Sequence, residues 1–375
     1  MYTVKIATLK QFQESKEIWN RLASEMVFPS IFCTWEWVYT WWEHFGESYE
    51  PVIFFVCEDE EIKAILPLVS RPALSKTGLL GNVLYYCGSP EVYPDHLDLI
   101  AAKEDAELCM EAIFRFLSSE YHGWDVLYLS HLSQESILLS CMNKVKLSFH
   151  TEINKASVSP FITFSEGFDG YMNAVDSQVK NTIKRGDKKL AERFGINYMC
   201  CAPSCKEEGL RMLFALHEKR ANSKNVASTF KGARFFDFHN DLQERIDKNG
   251  WLWLNFLGNE DKIISAFYGF AYGNRLSYYQ MGFDPEWSKY SPGAVLLNKV
   301  ITDAWNNGYE EFDFLCGDET YKREWTRNCR VLTNVKLYNK TILGGLSRGA
   351  SSARYLMKSA LRKSSSRINE NSAAY

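Results

Sequence analysis

A mixed α/β protein built from two similar units is what the sequence predicts. Apolar runs of strand length alternate with amphipathic runs of helix length along most of the chain. The stretch Trp251–Trp325 reads strand, strand, strand, helix, strand, and its helix is introduced by Ser291-Pro292-Gly293-Ala294 and stopped by Asn307-Gly308. The first half repeats that order. FFVCEDEEIKAILPLV aligns with NFLGNEDKIISAFYGF, so that Phe55 stands opposite Phe256 and Ile62 opposite Ile263, and LYYCG matches SYYQMG. Each is followed by a helix and a strand, WDVLYLS in the first half and EEFDFLC in the second. The expected architecture is α/β with mixed sheets: one unit over 1–165, a second over 166–340, and a basic tail over 341–375. A ligand cleft is expected between the units.

Taken in order, Tyr2–Ala7 reads as a strand and Leu9–Ala23 as an amphipathic helix carrying Phe12, Ile18, Trp19 and Leu22 on helical spacing. Thr34 is placed to cap a helix that ends near Gly46. Its Trp37, Trp41, His44 and Phe45 share one face, either a buried stripe or an aromatic wall of the cleft. Strands follow at Pro51–Cys57, Ile62–Ser70, Val83–Cys87 and His96–Ala101, then a helix at Glu104–Ser119 and a strand at Asp125–Ser130. Phe168–Phe194 reads as one long basic helix, with Lys180, Lys184 and Lys188 in one row and Arg185, Lys189 and Arg193 in another. It is either a solvated face or a contact for a phosphate-bearing ligand. Helices at Lys206–Asn222 and Arg234–Lys248 flank the polar segment Ser223–Gly232, a candidate cover for the cleft. After the opening stretch comes a last strand, Val331–Tyr338.

Composition narrows the function classes. The chain has 375 residues, 46% hydrophobic and 24% charged, enough to bury a large core. A net charge of −3 argues against bulk nucleic-acid binding. Ten cysteines lack any C-x-x-C pair and several sit inside apolar runs, which suits reduced thiols packed as small hydrophobes. Cys200, Cys201 and Cys205 have no histidine nearby to complete a zinc site, so no metal is expected. No signal-peptide pattern opens the chain and no apolar run is long enough to span a membrane, so the expected location is cytoplasmic. The tail, basic from Arg348 to Arg367 with an apolar side at Leu346, Leu356 and Leu361, is the candidate contact (346–367) with an anionic membrane at its inner face.

Four stretches carry a family resemblance: FCTWEWVYTWWEHFG, VKNTIKRGDKKLAERFGI, GFDPEWSKYSPG and SPGAVLLNKVITDAWNNGYEEFDFLCGDETYKREW. Over about Phe32 to Tyr338 the chain resembles the GNAT-superfamily acetyltransferases of the BioF2-like or CelD/BcsL cellulose-biosynthesis type, relatives of the FemABX peptidyltransferases. The resemblance implies two tandem GNAT-like units and transfer of an acyl group from acetyl-CoA or another acyl-CoA to an amine, an amino sugar or envelope precursor. It places the pyrophosphate loop at Lys289, Ser291, Gly293 and Ala294. The spacing departs from the usual Gln/Arg-x-x-Gly-x-Gly/Ala, and Pro292 removes one N–H donor, which leaves CoA binding open.

For the chemistry, the resemblance points to Asp95 as a carboxylate near the acceptor and to Lys322 as a cation for the oxyanion, with Tyr321 beside it as a donor to the leaving group. His217 is a further candidate base. Arg220, one helical turn from His217, Trp37 and Asp284 are candidate substrate contacts, Asp284 being equally a turn residue before Pro285. Two other readings stay open: a Fem-like transferase using aminoacyl-tRNA, the one case in which nucleic acid would bind, and a non-catalytic component of a polysaccharide assembly.

Overall fold

A computed structural model describes residues 1–73, 79–89, 91–144, 149–200, 206–226 and 232–354. The first half holds β1 (Thr3–Ile6), α1 (Leu9–Glu14), α2 (Lys16–Ser24), α3 (Trp35–Phe45), β2 (Glu50–Glu58), β3 (Glu61–Pro72), β4 (Asn82–Tyr86), β5 (Ile100–Ala101), α4 (Ala106–Ser119), β6 (Val126–Ser133), α5 (Ile137–Lys144) and β7 (His150–Thr163). The second holds α6 (Gly167–Ala174), α7 (Ser177–Phe194), β8 (Asn197–Cys200), α8 (Lys206–Ser223), α9 (Ala233–Asp247), β9 (Leu252–Gly258), β10 (Ile263–Tyr272), β11 (Arg275–Phe283), α10 (Pro292–Asn306), β12 (Glu311–Asp313), α11 (Thr320–Arg323) and β13 (Cys329–Tyr338).

The mixed α/β fold is as expected, and the internal repeat is visible in strand register. The β2–β3 hairpin pairs Phe55 with Ile65; the β9–β10 hairpin pairs Phe256 with Ala266 at the equivalent positions. β4 runs parallel to β6, with Leu84 beside Leu127, just as β11 runs parallel to β12, with Ser277 beside Asp313. The two halves do not form separate sheets. One sheet runs β1-β2-β3-β4-β6-β13-β7-β12-β11-β10-β9-β8, with β5 pairing on β3. β13, the last strand among the described residues, lies between β6 and β7, antiparallel to both.

Several local readings change. The first helix breaks at Ser15, whose hydroxyl donates to the Phe12 carbonyl (2.8 Å), giving α1 and α2. The basic helix begins later than expected: Val175 is extended, the Asp176 carboxylate accepts the Gln178 N–H (2.6 Å), and Asp176 caps α7 separately from α6. The strand expected from His96 shrinks to Ile100–Ala101, because Asp98 turns inward. Its buried carboxylate accepts from the Leu99, Ile137 and Leu138 N–H groups and the Ser136 hydroxyl, at 2.7–3.0 Å, and so holds the start of α5.

In the second half, α7 and α10 cover one sheet face while α8 and α9 cover the other, and α9 packs against α3 of the first half. The alternation of β10 matches: Phe267 joins the core with α7 and α10, whereas Ala266 and Tyr268 join the core shared with the first half. Gly186 sits where α7 crosses the turn before α10. A Cβ there would lie 2.4 Å from the Tyr290 carbonyl oxygen and 3.0 Å from Val295 Cγ2. Gly186→Ala is therefore expected to cost about 1–3 kcal/mol by overpacking, read as a lowered midpoint in thermal unfolding. No helix among the described residues is long and apolar enough to cross a membrane. Of the expected membrane contact, residues up to 354 are helical and residues 355–375 lie outside the described set. Residues 227–231 of the expected cover, and Cys201 and Cys205, lie outside it too.

Candidate active site

β11 and β12 pair only from Arg275/Glu311 to Ser277/Asp313. β11 then continues to Phe283, while the chain after Asp313 stays on β7 through the Phe314 N–H to Pro160 and the Gly317 N–H to Val158 (both 2.9 Å). Leu315 takes a positive φ (56°), and its N–H donates to Asp313 Oδ1 (2.8 Å). The two parallel strands thus splay apart. Into the gap opens a cavity of about 330 Å³, lined from the second half by Tyr278, Tyr279, Gln280, Phe314 and Cys316, and from the first by Tyr93, Asp95 and His131.

Asp95 is buried, and its Oδ2 accepts the Cys316 N–H at 2.6 Å, which ties the two halves together at the splay. Its Oδ1 lies 3.0 Å from His131 Nδ1. His131 ends the regular part of β6 with a positive φ (54°), and its N–H donates to Asn334 Oδ1 on β13 (3.0 Å). Burial pulls the imidazole pKa down, but the Asp95 carboxylate raises it by more, so the net shift is upward. Cys316 lies beside them, its thiol pushed up by burial and by the Asp95 charge.

Behind the cavity sits a second buried cluster. Asp313 is fully buried; its Oδ2 lies 2.8 Å from His96 Nε2 and 3.7 Å from Arg330 Nη1, and its Oδ1 accepts the Ser159 hydroxyl at 2.7 Å. Burial would raise this carboxyl, yet His96, Arg275 and Arg330 together hold it well below the usual carboxylate range. Arg330 stacks on Phe161 at 3.7 Å and also pairs with Glu311 and Glu135.

The structure brings Asp95, Tyr321 and Lys322 to one cavity. Tyr321 donates to the Tyr278 hydroxyl at 3.4 Å; burial, Tyr278 and Glu319 push its phenol far above the ordinary value, so it remains a donor. Lys322 differs from expectation. It is 4% exposed, and its ammonium reaches the carbonyls of Cys316 (2.8 Å) and Leu315 (3.4 Å) and the Glu319 carboxylate (3.0 Å). Three partners match its three hydrogens, so it clamps the loop after β12 instead of presenting a free cation to an oxyanion.

Other expected residues lie elsewhere. Trp37 is fully buried: its indole N–H donates to the Gly88 carbonyl (3.3 Å), and Phe32, Phe238 and Phe270 meet it edge-on, so it is core between the halves and no wall of a groove. Asp284 is a buried turn cap. It accepts the Glu286 N–H (3.2 Å) and lies 3.4 Å from Lys219 and 3.5 Å from Lys262; these contacts outweigh burial and lower its pKa. His217 is on α8, whose backbone presses on Gly282 of β11, and is outside the cavity lining; burial and Arg220 lower its pKa. The Arg220 guanidinium lies 4.9 Å from the Phe283 ring and its charge reaches Tyr278 and Tyr321.

At the start of α10, Ser291 has a positive φ (53°) and its side chain makes no capping bond. Ser291 and Ala294 line a separate cleft of about 1080 Å³, together with Gln178 and Thr182 of α7 and Thr320, Arg323 and Arg327. Lys289 is exposed beside the Tyr290 ring, and Gly293 is buried against Phe283 and Met281; neither lines that cleft. The helix start nonetheless offers N–H groups to an anion, and Arg327 lines the same cleft; Arg323 is paired with Asp318 (2.6 Å), and Glu166, Asp176 and Glu324 also line it. α11 divides the two spaces: Thr320 and Arg323 face the cleft, Tyr321 and Lys322 the cavity. His131 and Cys316 were missed in the sequence because one ends an apolar strand and the other reads as a small hydrophobe.

Residues 177–323 match the family described as the Acetyltransferase (GNAT) domain. The second half carries a GNAT-family acetyltransferase domain. The splayed parallel pair, the helix start beside it and α11 all fall within the matched residues. A GNAT domain implies an acyl-CoA co-substrate. Among solved structures the chain is similar to FemX, at 9% identity over 88% of this chain and 96% of that one, with a TM-score of 0.64. It is also similar to a conserved protein of unknown function from Bacteroides thetaiotaomicron (12% identity, 91% and 100% covered, TM-score 0.55). A third is the C-terminal domain of a putative lysylphosphatidylglycerol synthetase from Agrobacterium fabrum (10% identity, 93% and 96% covered, TM-score 0.53). At such identities these likenesses concern the fold. No curated protein matches the chain.

Proposed function

We propose that the chain is an N-acyltransferase that moves an acyl group from acyl-CoA to an amine held in the cavity between the two halves. The observation that carries this reading is the splay of β11 from β12, opening onto a buried carboxylate–imidazole pair inside a GNAT domain. The amine nitrogen attacks the thioester carbonyl carbon, the carbon–sulfur bond breaks, and CoA leaves as a thiol. His131, oriented by Asp95, accepts the proton released from the amine; that proton then passes to the departing sulfur. A raised imidazole pKa suits this, since the ring holds a captured proton more firmly. Tyr278 and Tyr321 are the hydroxyl donors beside it. In this reading the pyrophosphate lies against Ser291, Ala294 and Arg327, which line one cleft. An amino sugar or envelope precursor as acceptor follows from the BioF2-like and CelD/BcsL resemblance of the sequence motifs.

Calorimetry with acetyl-CoA tests the donor side. Ala294→Asp puts a carboxylate in the first turn of α10, which the helix dipole tolerates and a pyrophosphate does not. The wild-type chain is expected to bind, and the variant to lose at least about tenfold in affinity with an unchanged unfolding midpoint, a difference of about 1.4 kcal/mol. Wild-type protein that binds no CoA, or a variant that binds equally well, would sink the reading.

A further inference from the structure

We propose that Asp95, His131 and Cys316 form a binding site for a divalent transition-metal ion of the zinc class in the wall of the cavity. One donor atom from each lies within 4.8 Å of the other two, and among the described residues no other such trio of metal-binding side chains converges. The donor set is carboxylate oxygen, imidazole nitrogen and thiolate sulfur, which favours zinc or cobalt over magnesium or calcium.

A second observation points to a ligand. Asp95 is 2% exposed, yet its Oδ1 accepts no aligned hydrogen bond. It lies 3.0 Å from His131 Nδ1 without the geometry of one. The imidazole supplies charge there without an aligned donor, and an ion between the three groups would complete the oxygen's coordination. Tetrahedral zinc bonds of about 2.0–2.3 Å set donor atoms about 3.5 Å apart. Asp95 and His131 are 3.0 Å apart and all three donors lie within 4.8 Å, so side-chain rotation would bring them to that spacing.

The backbones are fixed independently. The Cys316 N–H is held by Asp95 Oδ2, the His131 N–H by Asn334, and the Cys316 carbonyl by Lys322. The clamping of the loop by Lys322 thus gains a purpose: it holds the thiol in place. Three protein donors leave one tetrahedral position for a small molecule or water from the cavity. An ion there would engage the imidazole that accepts the proton and the carboxylate that orients it, so the loaded protein would be slow in acyl transfer. That consequence rests on the acyltransferase reading; the binding itself does not.

The test uses the full chain, stripped with a chelator and titrated with Co²⁺, following the thiolate-to-cobalt charge-transfer absorption, then displaced with Zn²⁺. Saturation at one equivalent is expected. Cys316→Ser is expected to abolish the band, and His131→Ala and Asp95→Asn to weaken binding by at least about tenfold. Cys200→Ser, at an exposed cysteine outside the site, is expected to leave the titration unchanged. Circular dichroism establishes that each variant is folded. Absence of a thiolate band in the wild-type protein, or a band that survives Cys316→Ser, would overturn the proposal. Since no CoA is present, this outcome is independent of whether acetyl-CoA binds.

Discussion

Asp95→Asn is expected to lower kcat/KM for acyl transfer by about 100-fold or more, the range over which a positioned acid–base group acts. The substitution keeps the size of the side chain, and an amide oxygen can still accept the Cys316 N–H that bridges the halves. What it removes is the negative charge that raises the His131 pKa and orients its ring. Affinity for acetyl-CoA is expected to stay within about twofold, because the cleft that holds Ser291 and Ala294 lies on the other side of α11. Steady-state thiol release in the presence of an amine acceptor, beside calorimetry for the donor, separates the two effects. Turnover that survives intact would place the proton route elsewhere.

The largest loss of stability is expected from Asp313→Ala, at about 3–5 kcal/mol. Removing this carboxylate leaves Arg330 buried against Phe161 with less compensation, strips His96 of its partner and frees the Ser159 hydroxyl and the Leu315 N–H. Urea unfolding followed by tryptophan fluorescence measures the change. The pH dependence follows from the direction of the shift. Although burial acts to raise it, Asp313 is held below the usual carboxylate range by His96, Arg275 and Arg330, so the unfolded chain binds its proton more readily than the folded one. Its stabilisation is therefore present above the unfolded value of about 3.9 and fades as pH falls through the lower folded one. Asp313→Asn should lose this share of stability near neutral pH and flatten the acid limb of the curve. A variant as stable as the parent at pH 7 would show that the surrounding charges are satisfied without it.

Most secondary elements were legible because they rest on local patterns. The two hairpins announce themselves by apolar runs around polar turns, and their equivalent registers at Phe55 and Phe256 are a repeat that single-sequence alignment can see. What could not be read depends on partners distant in the chain. β7 alternates poorly because much of its first part is exposed, and it gains definition only from β13 and β12 on either side. Trp37 has the composition of a groove wall, and only the arrival of Phe238 and Phe270 from the other half makes it core. Asp95 was singled out from a motif, but its partner His131 lies on another strand, and their meeting is a property of the sheet. Lys322 shows the reverse limit: its position was anticipated, while the carbonyls that occupy its ammonium were invisible.

The placement of β13 has a consequence for how the protein is made. A ribosome delivers β6 and β7 long before the residues that will sit between them, so for much of synthesis each strand presents an unpaired edge to the cell. The centre of the sheet is completed only when Cys329–Tyr338 has emerged, and the loop that must close to bring it to β6 is nearly two hundred residues long, a slow step with a modest entropic cost. A chain released early would have every residue of the GNAT match and still lack the strand that locks its two halves together. The two strands that frame the cavity from the first half are therefore joined late, by a segment that contributes no side chain to the cavity itself.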